Sequence, residues 1–236
     1  MVLRIDRIDV YIGLSHILRE VSLEVRPGEA VYLIGRNGAG KTTTLLSVLG
    51  FRRPAKGSIE FRSENLVGLP PQEIARKGIG YSPEESRVFP DLTVHENIAY
   101  STYTRKTERS AEERTARAYE VFPKLHDYRN RRGNQLSGGE RKMLSIARAL
   151  ALDPALLLLD EPFEGLSPTI MPQVAESIHE ITKMGVSVLT VESNIYHVAD
   201  FATRLYVIER GEIIFSGKPG EVQSYPEVMK IVAGTT

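Results

Sequence analysis

Residues Gly35 to Thr43 read Gly-Arg-Asn-Gly-Ala-Gly-Lys-Thr-Thr, and they lie between a continuous apolar run, Ala30-Val-Tyr-Leu-Ile, and a helix-forming stretch from Thr42 to Leu49. A glycine-rich loop joining a buried strand to a helix N-terminus is a phosphate cradle, and it places the chain among α/β folds. Backbone N–H groups of Asn37, Gly38, Ala39, Gly40, Lys41 and Thr42 are expected to surround a β-phosphate, helped by the positive end of the helix. Gly38 and Gly40 let the chain approach without a Cβ in the way. Lys41 reaches the β- and γ-oxygens, the Thr42 hydroxyl is placed to ligate Mg²⁺, and Thr43 adds a hydroxyl at the α-phosphate. The alternative, a chance glycine turn, fits poorly at the junction of a buried strand and a helix.

The 236 residues suffice for one large α/β domain or a core carrying a helical insertion. Thirty basic residues balance thirty acidic ones, so total charge exerts no general pull toward nucleic acid or anionic lipid. There is no cysteine, which excludes a disulfide framework and a thiolate metal site. The N-terminal Met1-Val-Leu-Arg-Ile-Asp-Arg alternates like a strand and lacks a signal peptide's apolar stretch. The longest apolar run, Ala155 to Leu159, falls far short of the ~20 residues that span a bilayer, so any membrane passage must come from another chain.

Periodicity predicts strands over residues 2–10 and 20–34, and a strand at Gly57-Ser-Ile-Glu-Phe. A helix starts at Leu69-Pro-Pro-Gln. From 94 to about 135 the chain is polar and helical in pattern, and Lys106 to Glu120 reads as a solvated helix laced with opposite charges. A helix follows from Gly138 to Leu150, then a strand at Leu156–Leu159, a helix over 169–184 and a strand from Val186 to Val191. A closing strand pair turns around Arg210-Gly211, and short helices follow over 217–233.

Two further motifs carry chemistry. Asp160 ends an apolar strand, which would set its carboxylate beside phosphates to hold Mg²⁺ directly or through water. Glu161, next along, is the candidate general base that polarises the attacking water. The plain alternative for two adjacent acids is a solvated strand end. Leu136-Ser-Gly-Gly-Glu opens a helix, and Ser137, Gly138 and Gly139 offer a hydroxyl and unhindered N–H groups to an anion. One domain already has a phosphate cradle, so a second makes sense if it caps the γ-phosphate held by another subunit. Its plain alternative is an ordinary serine N-cap.

With these motifs in this order, the chain closely resembles the ATP-binding subunits of ABC transporters, essentially end to end. The resemblance extends to Phe89-Pro-Asp-Leu-Thr-Val-His-Glu-Asn, to Gly165-Leu-Ser-Pro and to Arg210-Gly-Glu-Ile-Ile-Phe-Ser-Gly. It implies an α/β P-loop NTPase core, with a mixed sheet, flanking helices and an antiparallel β subdomain, plus an inserted α-helical subdomain. The expected division of the single cassette 1–236 is a core of 1–90 and 155–236 and a helical subdomain of roughly 91–154. It also implies ATP and Mg²⁺ as ligands, membrane permease subunits and a second cassette as partners, a solute-binding protein as an indirect one, and no nucleic acid. The place of action would be the cytoplasmic face of the membrane, peripherally.

Two departures sharpen the resemblance. Where most members carry a glutamine that senses metal and γ-phosphate, this chain reads Tyr81-Ser-Pro-Glu84-Glu-Ser-Arg-Val-Phe-Pro. Where most carry a switch histidine, it reads Val191-Glu-Ser193-Asn194. Both resemble the subgroup serving branched-chain amino acid importers, whose stretches run Val-Pro-Glu-Gly-Arg-Arg and Val-Glu-Gln-Asn. Glu84 can coordinate Mg²⁺ with more charge than an amide. Ser193 can donate one neutral hydrogen bond, roughly half as strong as a charged one. His197, one turn on, is expected to face elsewhere. For the adenine, the resemblance points to an aromatic near the first strands: Tyr11, or Ile12 if the segment carries one extra residue. Import of urea or short amides, lipopolysaccharide-type export and a soluble non-transport ABC ATPase remain the alternatives. A glutamine and a histidine at the two departures would be expected of the exporter. The soluble class resembles tandem cassettes or carries long coiled-coil insertions, and this chain has neither.

Overall fold

The chain opens as a hairpin, with β1 (Leu3–Ile12) antiparallel to β2 (Ser15–Val25) and Gly13 turning at φ 59. β2 therefore begins at Ser15, five residues before the sequence suggests. A bulge hides its start: Glu20 adopts φ 47, its N–H donates to Asp9 Oδ1 at 3.0 Å, and the register shifts near Val10. The extra residue breaks the two-residue alternation that reveals a strand. The structure, a computed structural model, describes residues 1–233, so the last three of the expected domain lie outside the described residues. They fall into two compact units: Met1–Ile74 with the described residues from Ser187 onward, and Ala75–Val186.

In the first unit, β3 (Ala30–Ile34) is buried along its whole length, as its continuous apolar sequence requires. It runs into α1 (Lys41–Val48). β4 (Lys56–Phe61) and the short β5 (Glu64–Asn65) complete an antiparallel sheet in the order β2-β1-β4-β5. α2 (Pro71–Lys77) starts on a proline, whose missing N–H would have had no helical partner there anyway.

The second unit holds β6 (Ile79–Ser82) and the helices α3 (Val94–Thr102), α4 (Ala111–Val121), α5 (Pro123–Asp127) and α6 (Gly138–Ala151). Capping boxes start three of them, pairing Thr93 with Glu96, Ser110 with Glu113 and Ser137 with Glu140. The charged run 106–120 is not the solvated helix its charges suggest. α4 begins only at Ala111, and Arg114 is buried, donating to the Thr102 carbonyl at 2.9 Å and so closing the end of α3. Arg117 reaches Asp153 at 2.8 Å instead of pairing along α4, and Arg109, ahead of the Ser110 cap, reaches the same carboxylate at 3.0 Å. β7 (Leu156–Asp160) runs parallel to β6, with Ser82 opposite Leu159. α7 (Met171–Lys183) buries Val174, Ile178 and Ile181 on one stripe.

Back in the first unit, β8 (Ser187–Glu192) and β9 (Arg204–Glu209) flank β3 in parallel, and β10 (Glu212–Gly217) returns antiparallel to β9. Arg210 and Gly211, at φ 49 and 85, form the tight turn between them. A 3₁₀ segment, Pro219–Ser224, leads into α8 (Pro226–Val232). Among the described residues no helix is long and apolar enough to cross a membrane.

Candidate functional site

In the first unit, the glycine loop fills the gap between β3 and α1. Gly38 and Gly40 have φ 83 and 112, conformations that side-chain-bearing residues rarely adopt. A Cβ on Gly38 would meet nothing within 4 Å, so that side of the loop is open, whereas one on Gly40 would lie 2.6 Å from Leu18. The α1 N-terminus has no side-chain cap. Lys41 is buried at 5% exposure, and its Nζ lies inside the loop, donating to the carbonyls of Gly35 at 2.8 Å and Arg36 at 3.3 Å. Asn37 and Thr42 are exposed, Thr43 is half-buried and Ala39 is buried. An open loop of positive-φ glycines at a helix start, with a lysine curled within it, suits a nucleotide triphosphate. Arg36 leaves the loop to donate to the last carbonyls of α8, Ile231 at 2.9 Å and Lys230 at 3.4 Å, where a cation complements the helix dipole.

Ser193 lies close to this loop. It directly follows β8, whose Glu192 pairs in register with Ile34, and the Gly35 N–H donates to the Glu192 carbonyl at 3.2 Å. His197 is held by an acid of β8. The Asn194 side chain caps the short Ile195–His197 turn, and that turn brings Nδ1 of His197 back to within 2.9 Å of the fully buried Glu192 carboxylate. Tyr11 and Ile12 both stand exposed at the hairpin tip. Tyr11 stacks on His16 at 4.2 Å between ring centroids, and His16 in turn contacts Asp9 at 3.2 Å.

In the second unit, Asp160 ends β7 almost fully buried, and the Tyr81 hydroxyl donates to its Oδ2 at 3.2 Å. Burial pushes the Tyr81 phenol up, and the neighbouring Asp160 charge raises it further, so it stays a donor at neutral pH. Glu161 is buried and takes φ 47, a left-handed conformation for a residue with a side chain. Glu84 is exposed beyond β6. Lys142 of α6, 3% exposed, donates to the Glu84 carbonyl at 2.7 Å and to the Glu161 carbonyl at 3.1 Å.

Ser137 and Gly138 are exposed at the start of α6. The Ser137 Oγ accepts the Glu140 N–H at 3.3 Å, while Glu140 Oε2 accepts the Ser137 N–H at 2.9 Å and its Oε1 pairs with Lys124 at 3.0 Å. Burial pushes the Glu140 carboxyl up, but the Ser137 donors and the Lys124 ammonium outweigh it and hold the group below its ordinary value. A Cβ on Gly139 would press against Ile170 at 3.0 Å.

Tyr81 and Lys142 are the residues that the sequence did not single out. Both act across long sequence separations, and only the parallel pairing of the strand beginning at Ile79 with the one ending at Asp160 hints that Tyr81 would meet an acid. Among the described residues no group of three or more histidine or acidic side chains could hold a metal alone.

The parallel strands, the glycine loop and the buried Asp-Glu strand end define a P-loop nucleotide triphosphatase. The profile of the ABC transporter family matches residues 18–164, and the chain belongs to that family as one of its ATP-binding cassettes. It is an ATP hydrolase of the transport-coupled type, and ATPases of this family dimerise and work with membrane permease subunits. It is 41% identical to the high-affinity branched-chain amino acid transport ATP-binding protein BraG of Pseudomonas aeruginosa, over 98% of this chain and 99% of BraG. It is 38% identical to the lipopolysaccharide export ATP-binding protein LptB of Haemophilus influenzae, over 92% of this chain and 91% of that one. Among solved structures, the nucleotide-free form of an ABC transporter cassette superposes with a TM-score of 0.84 at 27% identity, covering 98% of both chains.

Proposed function

We propose that this chain is the ATP-hydrolysing subunit of an importer for branched-chain amino acids. The observation that carries the reading is the 41% identity to BraG along nearly the whole of both chains. The residues at the two departures add to it: an exporter of the lipopolysaccharide type would be expected to carry a glutamine and a histidine where this chain has Glu84 and Ser193.

In this reading Asn37, Gly38, Ala39, Gly40, Lys41, Thr42 and Thr43 hold the triphosphate, and Tyr11 or Ile12 meets the adenine. Asp160, Glu84 and Thr42 would hold Mg²⁺, which neutralises phosphate charge when bound. Glu161 takes a proton from the attacking water, and Tyr81, by donating to Asp160, keeps that carboxylate oriented. Ser137, Gly138 and Gly139 reach the nucleotide of a second cassette, identical or different. Ser193 offers only a neutral hydrogen bond where an imidazolium would otherwise stand, which predicts slow basal hydrolysis. Partners are a pair of permeases, gripped through the loop Ser82–Pro90 and the helical region after Leu92, and indirectly a solute-binding protein. The chain then works peripherally at the cytoplasmic face of the membrane.

The test is reconstitution with the permease pair and solute-binding protein of such an importer in vesicles. Leucine, isoleucine or valine should stimulate ATP hydrolysis and be taken up. Stimulation by urea or short amides alone would move the substrate, and stimulation only with a lipopolysaccharide export permease would overturn import.

A further inference from the structure

We propose that Lys142 is a positioning residue for hydrolysis, tying the helix that begins at Ser137 to the backbones of Glu84 and Glu161. The inference rests on Glu161 being the base and on Ser137–Gly139 reaching a partner's nucleotide. Lys142 is one of the few buried charged side chains of its unit, and its ammonium bonds both carbonyls, at 2.7 and 3.1 Å. A charged donor makes a hydrogen bond roughly twice as strong as a neutral one. One of its acceptors belongs to a residue whose φ of 47 persists only where the surroundings over-determine it. Anchoring the Glu161 carbonyl fixes its peptide plane, and with φ set, the direction in which its Cα–Cβ bond projects is set too.

The second acceptor extends the effect. Glu84 lies in the loop after β6, where Ser86 is also left-handed at φ 50 and its hydroxyl donates to the same Glu84 carbonyl at 3.4 Å. A single ammonium therefore controls two carboxylate-bearing residues that are far apart in sequence. Its own position is fixed by α6, a helix of fourteen residues capped at Ser137. Lys142 stands five residues past that cap, about 7.5 Å along the axis at 1.5 Å per residue. A displacement of the α6 start on engaging a partner's nucleotide is carried rigidly to the ammonium, and from there to Glu161 and Glu84 of the same chain. Engagement at one nucleotide site would thus set the readiness of the base that serves the other.

Three variants test this: Lys142→Met, which keeps the aliphatic stem, Lys142→Arg, which keeps a cationic donor, and Glu161→Gln as the reference for the base. Turnover, ATP dissociation constant and melting temperature are measured for each in the full chain. Lys142→Met should lose about tenfold or more in kcat, equivalent to ~1.4 kcal/mol, with ATP affinity within about twofold of wild type, and Lys142→Arg should recover most of the loss. Cooperativity in ATP should fall with kcat in Lys142→Met, which a purely structural loss would not produce at matched nucleotide occupancy. If the methionine variant folds poorly, Lys142→Gln, which keeps one donor, is judged by the same criteria. Wild-type kcat and cooperativity in the methionine variant alongside an inactive Glu161→Gln would overturn the inference and leave the base in place. Full activity in Glu161→Gln would overturn both.

Discussion

Ser137 is both a helix cap and the expected contact to a partner's nucleotide, and the two roles predict losses of very different size. In Ser137→Ala the hydroxyl's bond to the Glu140 N–H disappears, but that bond is long at 3.3 Å, and the reciprocal bond from the Ser137 N–H to Glu140 at 2.9 Å remains. Loss of a serine cap costs ~0.5–2 kcal/mol, and the surviving half of the box puts this case near the lower end, at about 0.5–1 kcal/mol. For a chain of this size that lowers the melting temperature by about 1–4 °C. Even a domain stable by only ~5 kcal/mol would remain more than about 99% folded at 25 °C, so the cap alone predicts no change in turnover. If the hydroxyl also donates to a phosphate oxygen in the closed dimer, turnover should fall about a hundredfold, roughly 2.7 kcal/mol. Ser137→Asp separates the roles further. Aspartate caps as well as serine, so the melting temperature should hold, but its carboxylate repels the phosphate and turnover should still collapse. The assay is steady-state phosphate release beside thermal denaturation of the same preparations. Turnover within about twofold of wild type in Ser137→Ala would refute the nucleotide role and leave Ser137 a cap.

Ser193→His should raise basal turnover by about tenfold, or ~1.4 kcal/mol, by placing a cationic group beside the loop that starts at Gly35. A gain that vanishes above the imidazole pKa would assign it to charge, and an unchanged rate with intact ATP binding would remove Ser193 from the site. Because the Glu140 carboxyl is held below its ordinary 4.5, its contribution to stability is complete above that pH and is lost as pH falls through the lower folded value. Lys124→Met, which removes one cause of the lowering, should melt below wild type at neutral pH, and the gap should narrow as pH falls below about 4.5 and close past the lower folded value. An equal gap at every pH would mean that Lys124 contributes packing alone. Phe89, 39% exposed, packs edge-on against Tyr100 at 5.3 Å and beneath the Arg148 guanidinium at 4.5 Å. Phe89→Asp should leave the isolated subunit's ATPase intact and abolish its coupling to a permease in reconstituted vesicles, and unchanged transport would refute the docking role.

Some of this architecture was legible because local chemistry dictates it. A buried apolar strand, a glycine loop and a helix must follow one another where Ala30 to Val48 do. The bulge at Glu20 was not legible, since an inserted residue erases the alternation by which strands are read. Arg114 looked like one more solvated charge, because nothing local says that a neighbouring helix ends where its guanidinium can reach. Tyr81 and Lys142 were missed for the same reason: their partners are 79 and 58 residues away, and tertiary pairing alone brings them together.

The left-handed backbone at Glu161 sets stability and activity against each other at one position. Holding a side-chain-bearing residue there costs about 1–2 kcal/mol, a cost that glycine would not incur. Glu161→Gly should therefore melt higher than the native chain while losing the carboxylate on which turnover depends. A library sorted only for heat resistance would enrich glycine at 161, and one sorted for ATP turnover would purge it. Any effort to harden this cassette must hold that codon fixed, or it will recover a robust protein that no longer drives anything.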